Sequence, residues 1–124
     1  MPVIHANEAV EHQVQGARFH SYAAPARGSR ELCAWRRVVA PATTGLRHQV
    51  TREEVLYLLT GGLRAELDGE THDLGPGDVL VVPAGSTFGA DNPASEPATA
   101  WVTTSAGLRA VLPDGTWFQP PWTL

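Results

Sequence analysis

Polar and apolar positions alternate in short runs along this chain. No stretch places apolar residues at helical spacing over more than about two turns. Segment 31–41, "ELCAWRRVVAP", mixes tryptophan with valine and stops at Pro41, which predicts a strand. Segment 54–60, "EVLYLLT", predicts another, closed by Gly61-Gly62. Segment 63–74, "LRAELDGETHDL", predicts a hairpin with Asp68-Gly69 at the centre of a type I′ turn. Segment 75–85 reads as a turn, a short apolar strand and a second turn, and 98–105, "ATAWVTTS", alternates small, large and β-branched residues. From Val3 to about Ala26 the pattern is weak, although "ARFHSYA" fits a strand. The tail "FQPPWTL" is excluded from a central strand because Pro120 and Pro121 have no amide donor. Trp117 and Trp122 are expected to anchor that tail across the outside. Many short strands at close spacing predict one all-β domain over residues 1–124, a sandwich or barrel whose closure protects its strand edges.

Composition sharpens this picture in a few places. With 124 residues the chain can bury a single core, and its 12 glycines and 10 prolines suit a fold of many turns. The formal charge is −4, and no basic stretch is present to displace counterions from phosphates, so no nucleic-acid partner is expected. All nine basic residues are arginine. The absence of lysine excludes Schiff-base chemistry on a lysine amine. Cys33 is alone and has no internal disulfide partner. The segment "MPVIHANEAVEH" is polar where a signal peptide needs an apolar run, and nothing approaches the roughly 20 apolar residues of a membrane span. The expectation is a soluble, cytoplasmic protein with no membrane partner.

Candidate chemistry begins at "GLRHQVTREEVLYLLTG", residues 45–61, where His48 precedes Glu54 by six positions. Brought together by strands, these two side chains form an acid–base pair or the start of a metal site, although Val50, on the face of His48, can ligate nothing. In "AWRRVV", Arg36 and Arg37 point to opposite faces. Arg37 shares its face with Cys33, Trp35 and Val39, the more apolar set, so Arg37 is the one expected to look inward. An inward guanidinium would meet Glu54 or an anionic substrate group. The alternative places both arginines at a rim or an interface.

The order of these features resembles the cupin superfamily: a small single-domain cupin with an RmlC-like jelly roll. The histidine, glutamate and closing glycine of the first motif (about 45–61) fall on His48, Glu54 and Gly61. The second motif (about 77–92) falls on Gly77, Pro83, Gly85 and Asn92, and the likeness covers roughly residues 31–105. Two metal-ligand positions of the family have become apolar, Val50 and Phe88. The resemblance implies a cupin-like β-barrel (double-stranded β-helix) and, commonly, a homodimer. It also admits iron, manganese, nickel or zinc, but His48 and Glu54 supply only two of the three protein ligands that a catalytic metal usually takes. His20 is the best-placed third, so no cofactor is expected, with a divalent transition metal as the alternative.

Three functions follow. The leading one is a metal-free isomerase, cyclase or lyase in which His48 moves a proton, Glu54 orients it and Arg37 steadies negative charge. Trp35, Val50, Phe88, Trp101 and Tyr22 would line a pocket for an anionic, aromatic or cyclic small molecule. The others are a metal-dependent cupin oxygenase with a reduced ligand set and a non-catalytic binder of small ligands.

Overall fold

The computed structural model describes residues 3–124. In the described part the chain forms β1 (Val10–Val14), β2 (Ala17–Ala23), β3 (Leu32–Val39), β4 (His48–Val50), β5 (Glu54–Thr60) and β6 (Leu63–Leu67). It continues through β7 (Glu70–Leu74), β8 (Val79–Val82), β9 (Thr87–Asp91), β10 (Ala98–Ser105), β11 (Ala110–Val111) and β12 (Trp117–Phe118). Three single-turn 3₁₀ helices punctuate it, and the last, Pro121–Thr123, closes the tail. No helix among the described residues is long and apolar enough to cross a membrane.

Alternation in sequence becomes alternation of burial. Along β5, Glu54, Leu56 and Leu58 are buried while Val55, Tyr57 and Leu59 are exposed. Along β10, Ala98, Ala100, Val102 and Thr104 point inward and Thr99, Trp101, Thr103 and Ser105 outward. The hairpin of β6 and β7 turns on Asp68 and Gly69, both at positive φ, as a type I′ turn requires.

The strands form two six-stranded antiparallel sheets, in the orders β1-β2-β3-β10-β5-β8 and β12-β11-β4-β9-β6-β7. From β4 onward the chain passes back and forth between them, which is the jelly-roll arrangement. Leu56, Leu58, Val39, Val50 and Val82 fill the space between the sheets. This crossing matters for the chemistry. His48 and Glu54 do not lie on adjacent strands: β4 pairs with β9 and β11, whereas β5 pairs with β8 and β10. The two residues therefore enter the interior from opposite sheets.

The weakly patterned N-terminal part proves to be a hairpin, with Val14 paired to Ala17 across a Gln15-Gly16 turn at positive φ. It extends the first sheet, and its inward residues Ala17, Phe19 and Ser21 continue the core. The tail departs from expectation too. Trp117 is exposed, but Trp122 is buried and stacks on Phe19 with ring centroids 3.7 Å apart. Ser21 Oγ donates to the Trp122 carbonyl at 2.8 Å, and Cys33 Sγ donates to that of Thr123. The tail is thus part of the interior wall and not an outer strap.

Two clusters hold the second sheet to the loops that frame the interior. Arg47 forks onto Asp91 at 2.7 and 2.8 Å and reaches Glu66 at 2.7 Å, and this pairing draws the Asp91 carboxyl down to about 2. A Cβ at Gly45 would run into the Ala90 carbonyl, and one at Gly89 into the Arg47 side chain, so glycine is required where these strands close up. Asn92, fully buried, donates to the Val39 and Glu96 carbonyls and accepts from the Ala94 amide.

Candidate active site

A cavity of about 70 Å³ opens between the sheets near the N-terminal hairpin and the tail. Its wall is mostly apolar: Phe19 from β2, Trp35 from β3, Leu56 from β5, Phe88 from β9, and Phe118, Pro120 and Trp122 from the tail. Three ionisable side chains face it: Arg37 from β3, Glu54 from β5 and His48 from β4.

Arg37 reaches the interior because it continues the inward face of β3, with Cys33, Trp35 and Val39 buried beside it. Its guanidinium carbon sits 5.3 Å from the centroid of the Phe19 ring, its cross-strand neighbour. The residue is partly exposed and lines the cavity. Burial lowers its pKa, and the Glu54 charge partly restores it. Among the described residues Arg37 forms no ion pair within 4.0 Å, and its Nε–H finds no acceptor. Arg36 takes the opposite face, with His20 and Trp101 as cross-strand neighbours.

Glu54 is only 6 % exposed and lies between Thr104 and Val82 of the flanking strands. Burial raises its pKa from the ordinary 4.5 to about 7, against the opposing pull of Arg37. Near neutral pH it is thus divided between acid and carboxylate. His48 is held differently from the expected pair: its Nδ1 lies 3.1 Å from the Leu46 carbonyl. A carbonyl can only accept, so Nδ1 carries the proton and Nε2 of the neutral ring keeps its lone pair. Burial and the Arg37 charge both lower the His48 pKa, with the Leu46 hydrogen bond opposing them. Leu46, not Glu54, therefore sets the orientation of the imidazole, and Arg37 is the charge felt by both other groups.

Phe88 lies opposite His48 in the β4–β9 ladder and edges against its ring at 6.0 Å between centroids. With Trp35 it forms cavity wall as expected. Four residues do not. Val50 shares the face of His48 but is fully buried in the core, away from the cavity lining. Trp101 and Tyr22 lie on the outer face of the first sheet, their rings 5.3 Å apart, because β10 and β2 turn their opposite faces inward. His20 is on that outer face too, 3.8 Å from Glu11, where it cannot join His48 and Glu54 as a ligand. Phe19 and Trp122 are the wall residues that sequence reasoning missed. The alternation of "ARFHSYA" carried a signal for Phe19, since Ala17, Phe19 and Ser21 form its less polar face.

Among the described residues no three His, Cys, Asp or Glu side chains converge. The cavity offers one imidazole, one carboxyl and a guanidinium whose charge opposes a cation. That donor set does not fit a metal held by three protein ligands.

The comparisons with known proteins bear on the fold. A family model described as "Cupin domain" matches residues 35–104. The chain is similar in structure to the polyketide cyclase RemF from Streptomyces resistomycificus, with 18% identity, TM-score 0.77, and 98% of this chain and 88% of that one covered. It is similar to an RmlC-like cupin from Shewanella frigidimarina, with 20% identity, TM-score 0.73, and 85% and 90% covered. It is also similar to a sugar phosphate isomerase from Silicibacter pomeroyi, with 17% identity, TM-score 0.73, and 98% and 95% covered. No curated protein matches the chain.

Proposed function

The chain belongs to the cupin family, and on that premise we propose that it is a small-molecule enzyme of isomerase, cyclase or lyase type that works by proton transfer without a metal. One observation carries the reading: an unpaired, buried guanidinium shares an apolar cavity with a carboxyl near pKa 7 and an imidazole kept neutral. Each group is costly to bury, and packing alone requires none of them.

The roles divide as follows. His48 Nε2 takes a proton from a carbon beside a carbonyl, Arg37 steadies the enolate oxygen that results, and Glu54 in its acid form returns a proton. A polyketide cyclase and a sugar phosphate isomerase stand among the similar structures, but at these identities they share the fold alone, so the cavity's charges are the support. Pairing of two copies belongs to the same proposal. It has support in the apolar outer face of the first sheet, where Val55, Tyr57, Leu59, Val79 and Val81 are exposed.

The test is deuterium exchange. A panel of small β-keto acids and cyclic 1,3-diketones is incubated with the protein in heavy water, and loss of the α-proton signal is followed by NMR. Wild type is expected to accelerate exchange for at least one member, and His48→Ala to abolish it while remaining folded. Full exchange activity in His48→Ala refutes the role of His48. Near-stoichiometric metal that survives dialysis and is lost in His48→Ala favours a metal-dependent reaction instead.

A further inference from the structure

The cavity opens where the two sheets end. β1 is an edge of the first sheet and β12 an edge of the second, and the tail runs from β12 to the first sheet, where Trp122 stacks on Phe19. Val14 stands opposite Ala17 in the β1–β2 ladder, and Phe118 opposite Ala110 in the β11–β12 ladder. Side chains opposite each other in a ladder share a face of their sheet. Ala17 and Ala110 are buried and line the cavity, so Val14 and Phe118 point inward as well. Yet Val14 is 39 % exposed and Phe118 36 %. An inward residue keeps that much surface where the interior meets solvent. Leu46, 37 % exposed and also on the cavity wall, joins them from the β3–β4 loop, and its carbonyl is the one that holds the His48 ring. Gln15 is the polar member of this exposed part of the wall, and no member of it carries a charge.

We infer that Val14, Leu46 and Phe118 form an apolar collar at the cavity mouth, which takes the unreactive hydrocarbon chain of an amphipathic substrate whose carbonyl head lies inside. The inference rests on the functional reading above and adds a substrate class to it. Space sets the division between head and chain. At about 10–15 Å³ for each water centre, the cavity of about 70 Å³ holds roughly five to seven waters, equivalent to a molecule of roughly 150–200 Å³. That is room for a head of a few carbon atoms, and anything longer passes out between the edges of the two sheets. The imidazole sets the direction. Leu46 holds His48 by its carbonyl and offers its own side chain to the mouth, so the collar begins two residues from the proton-carrying ring. The chemistry of the collar selects the chain. At the mouth a phosphate meets no cation, and the hydroxyls of a sugar find a single amide, Gln15, in exchange for water. A methylene gains there, by up to about fourfold in affinity when it is fully removed from water. The collar is also separate from the apolar outer face of the first sheet, because Val14 and Phe118 point the other way.

Unbranched methyl ketones are the probes: methyl ethyl ketone, which fits inside the cavity, and methyl hexyl ketone, which does not. Each is titrated into uniformly ¹⁵N-labelled protein and followed by NMR, so that binding is read without turnover. Methyl hexyl ketone is expected to bind about 10- to 100-fold more tightly. It should also move the amide resonances of Val14, Leu46 and Phe118, which methyl ethyl ketone leaves in place. In Phe118→Ser and in Leu46→Ser the ratio of the two affinities should fall about 3- to 10-fold. In Val81→Ser, which removes an exposed valine from the outer face, the ratio should stay as in wild type. A wild-type ratio under about threefold overturns the collar, as does a ratio that both collar variants leave unchanged. So does an oligomer that dissociates in those variants, since that makes the collar an interface between copies. Failure of the catalytic reading looks different. Chain-length discrimination without proton exchange on any substrate leaves the collar standing and sinks that reading, whereas exchange without discrimination does the reverse.

Discussion

Glu54→Gln should change how stability depends on pH, by an amount that follows from burial. In the folded protein the Glu54 pKa is about 7, against an ordinary 4.5, chiefly because the site excludes water. A raised carboxyl pKa means that folding favours the protonated form. Its contribution is fully present below pH 4.5, is lost as pH rises from there to about 7, and is flat above. At about 1.4 kcal/mol per pH unit, the interval from 4.5 to about 7 corresponds to about 3 kcal/mol, of which about 2.5 kcal/mol falls between roughly pH 5 and pH 8. His48 acts in the opposite sense. Its lowered pKa favours the neutral ring, so its contribution is present above 6.5 and is lost as pH falls. Glutamine keeps the shape of the side chain and does not titrate, so subtracting the variant from wild type at each pH removes His48 and every other group. Urea unfolding of both proteins at about pH 5 and about pH 8 supplies the numbers. The wild type should lose about 2.5 kcal/mol relative to Glu54→Gln over that interval. Parallel pH dependences, within about 0.5 kcal/mol, would mean that Glu54 is solvated or firmly paired and that the acid–base site is misread.

Arg37→Met should raise stability by about 1–4 kcal/mol in urea unfolding at mildly acidic pH, because an unpaired buried cation is replaced by an apolar chain of similar length; a loss of stability would indicate an acceptor for the guanidinium. Trp122→Ala should cost about 3–5 kcal/mol by the same measurement, since the ring is buried against Phe19, whereas a change near zero would return the tail to the outside of the domain. Asn92→Ala should cost at least about 2 kcal/mol by stranding the Val39 and Glu96 carbonyls and the Ala94 amide, and full stability in that variant would deny those bonds.

Much of this architecture is local and was therefore legible in the chain. Period two is a property of the extended backbone, so the inward face of β3, the exposure of Tyr57 and the choice of Arg37 over Arg36 follow from counting residues. The Asp68-Gly69 turn is equally local, because positive φ at two successive positions selects those residue types. The spacing of His48, Glu54, Gly61 and the second glycine–proline group identified the family for the same reason.

Depth and partnership are not local. Parity places Val50 on the face of His48, but only the packing of two sheets decides that Val50 ends in the core and His48 on a cavity. Residue type points Tyr22, Trp101 and His20 to the pocket, but the register of β2 and β10 against β3 turns them outward. A spacing of six positions suggests neighbouring strands for His48 and Glu54. Because the chain crosses between sheets after β4, the two reach the cavity from opposite sheets, Leu46 holds the imidazole and Arg37 supplies the charge that acts on both. Trp122 is the furthest case. Its place beside Phe19 depends on contacts about a hundred residues apart along the chain, such as the bond from Ser21 to its carbonyl. No window of sequence contains both partners, and their meeting is decided only when the sheets close.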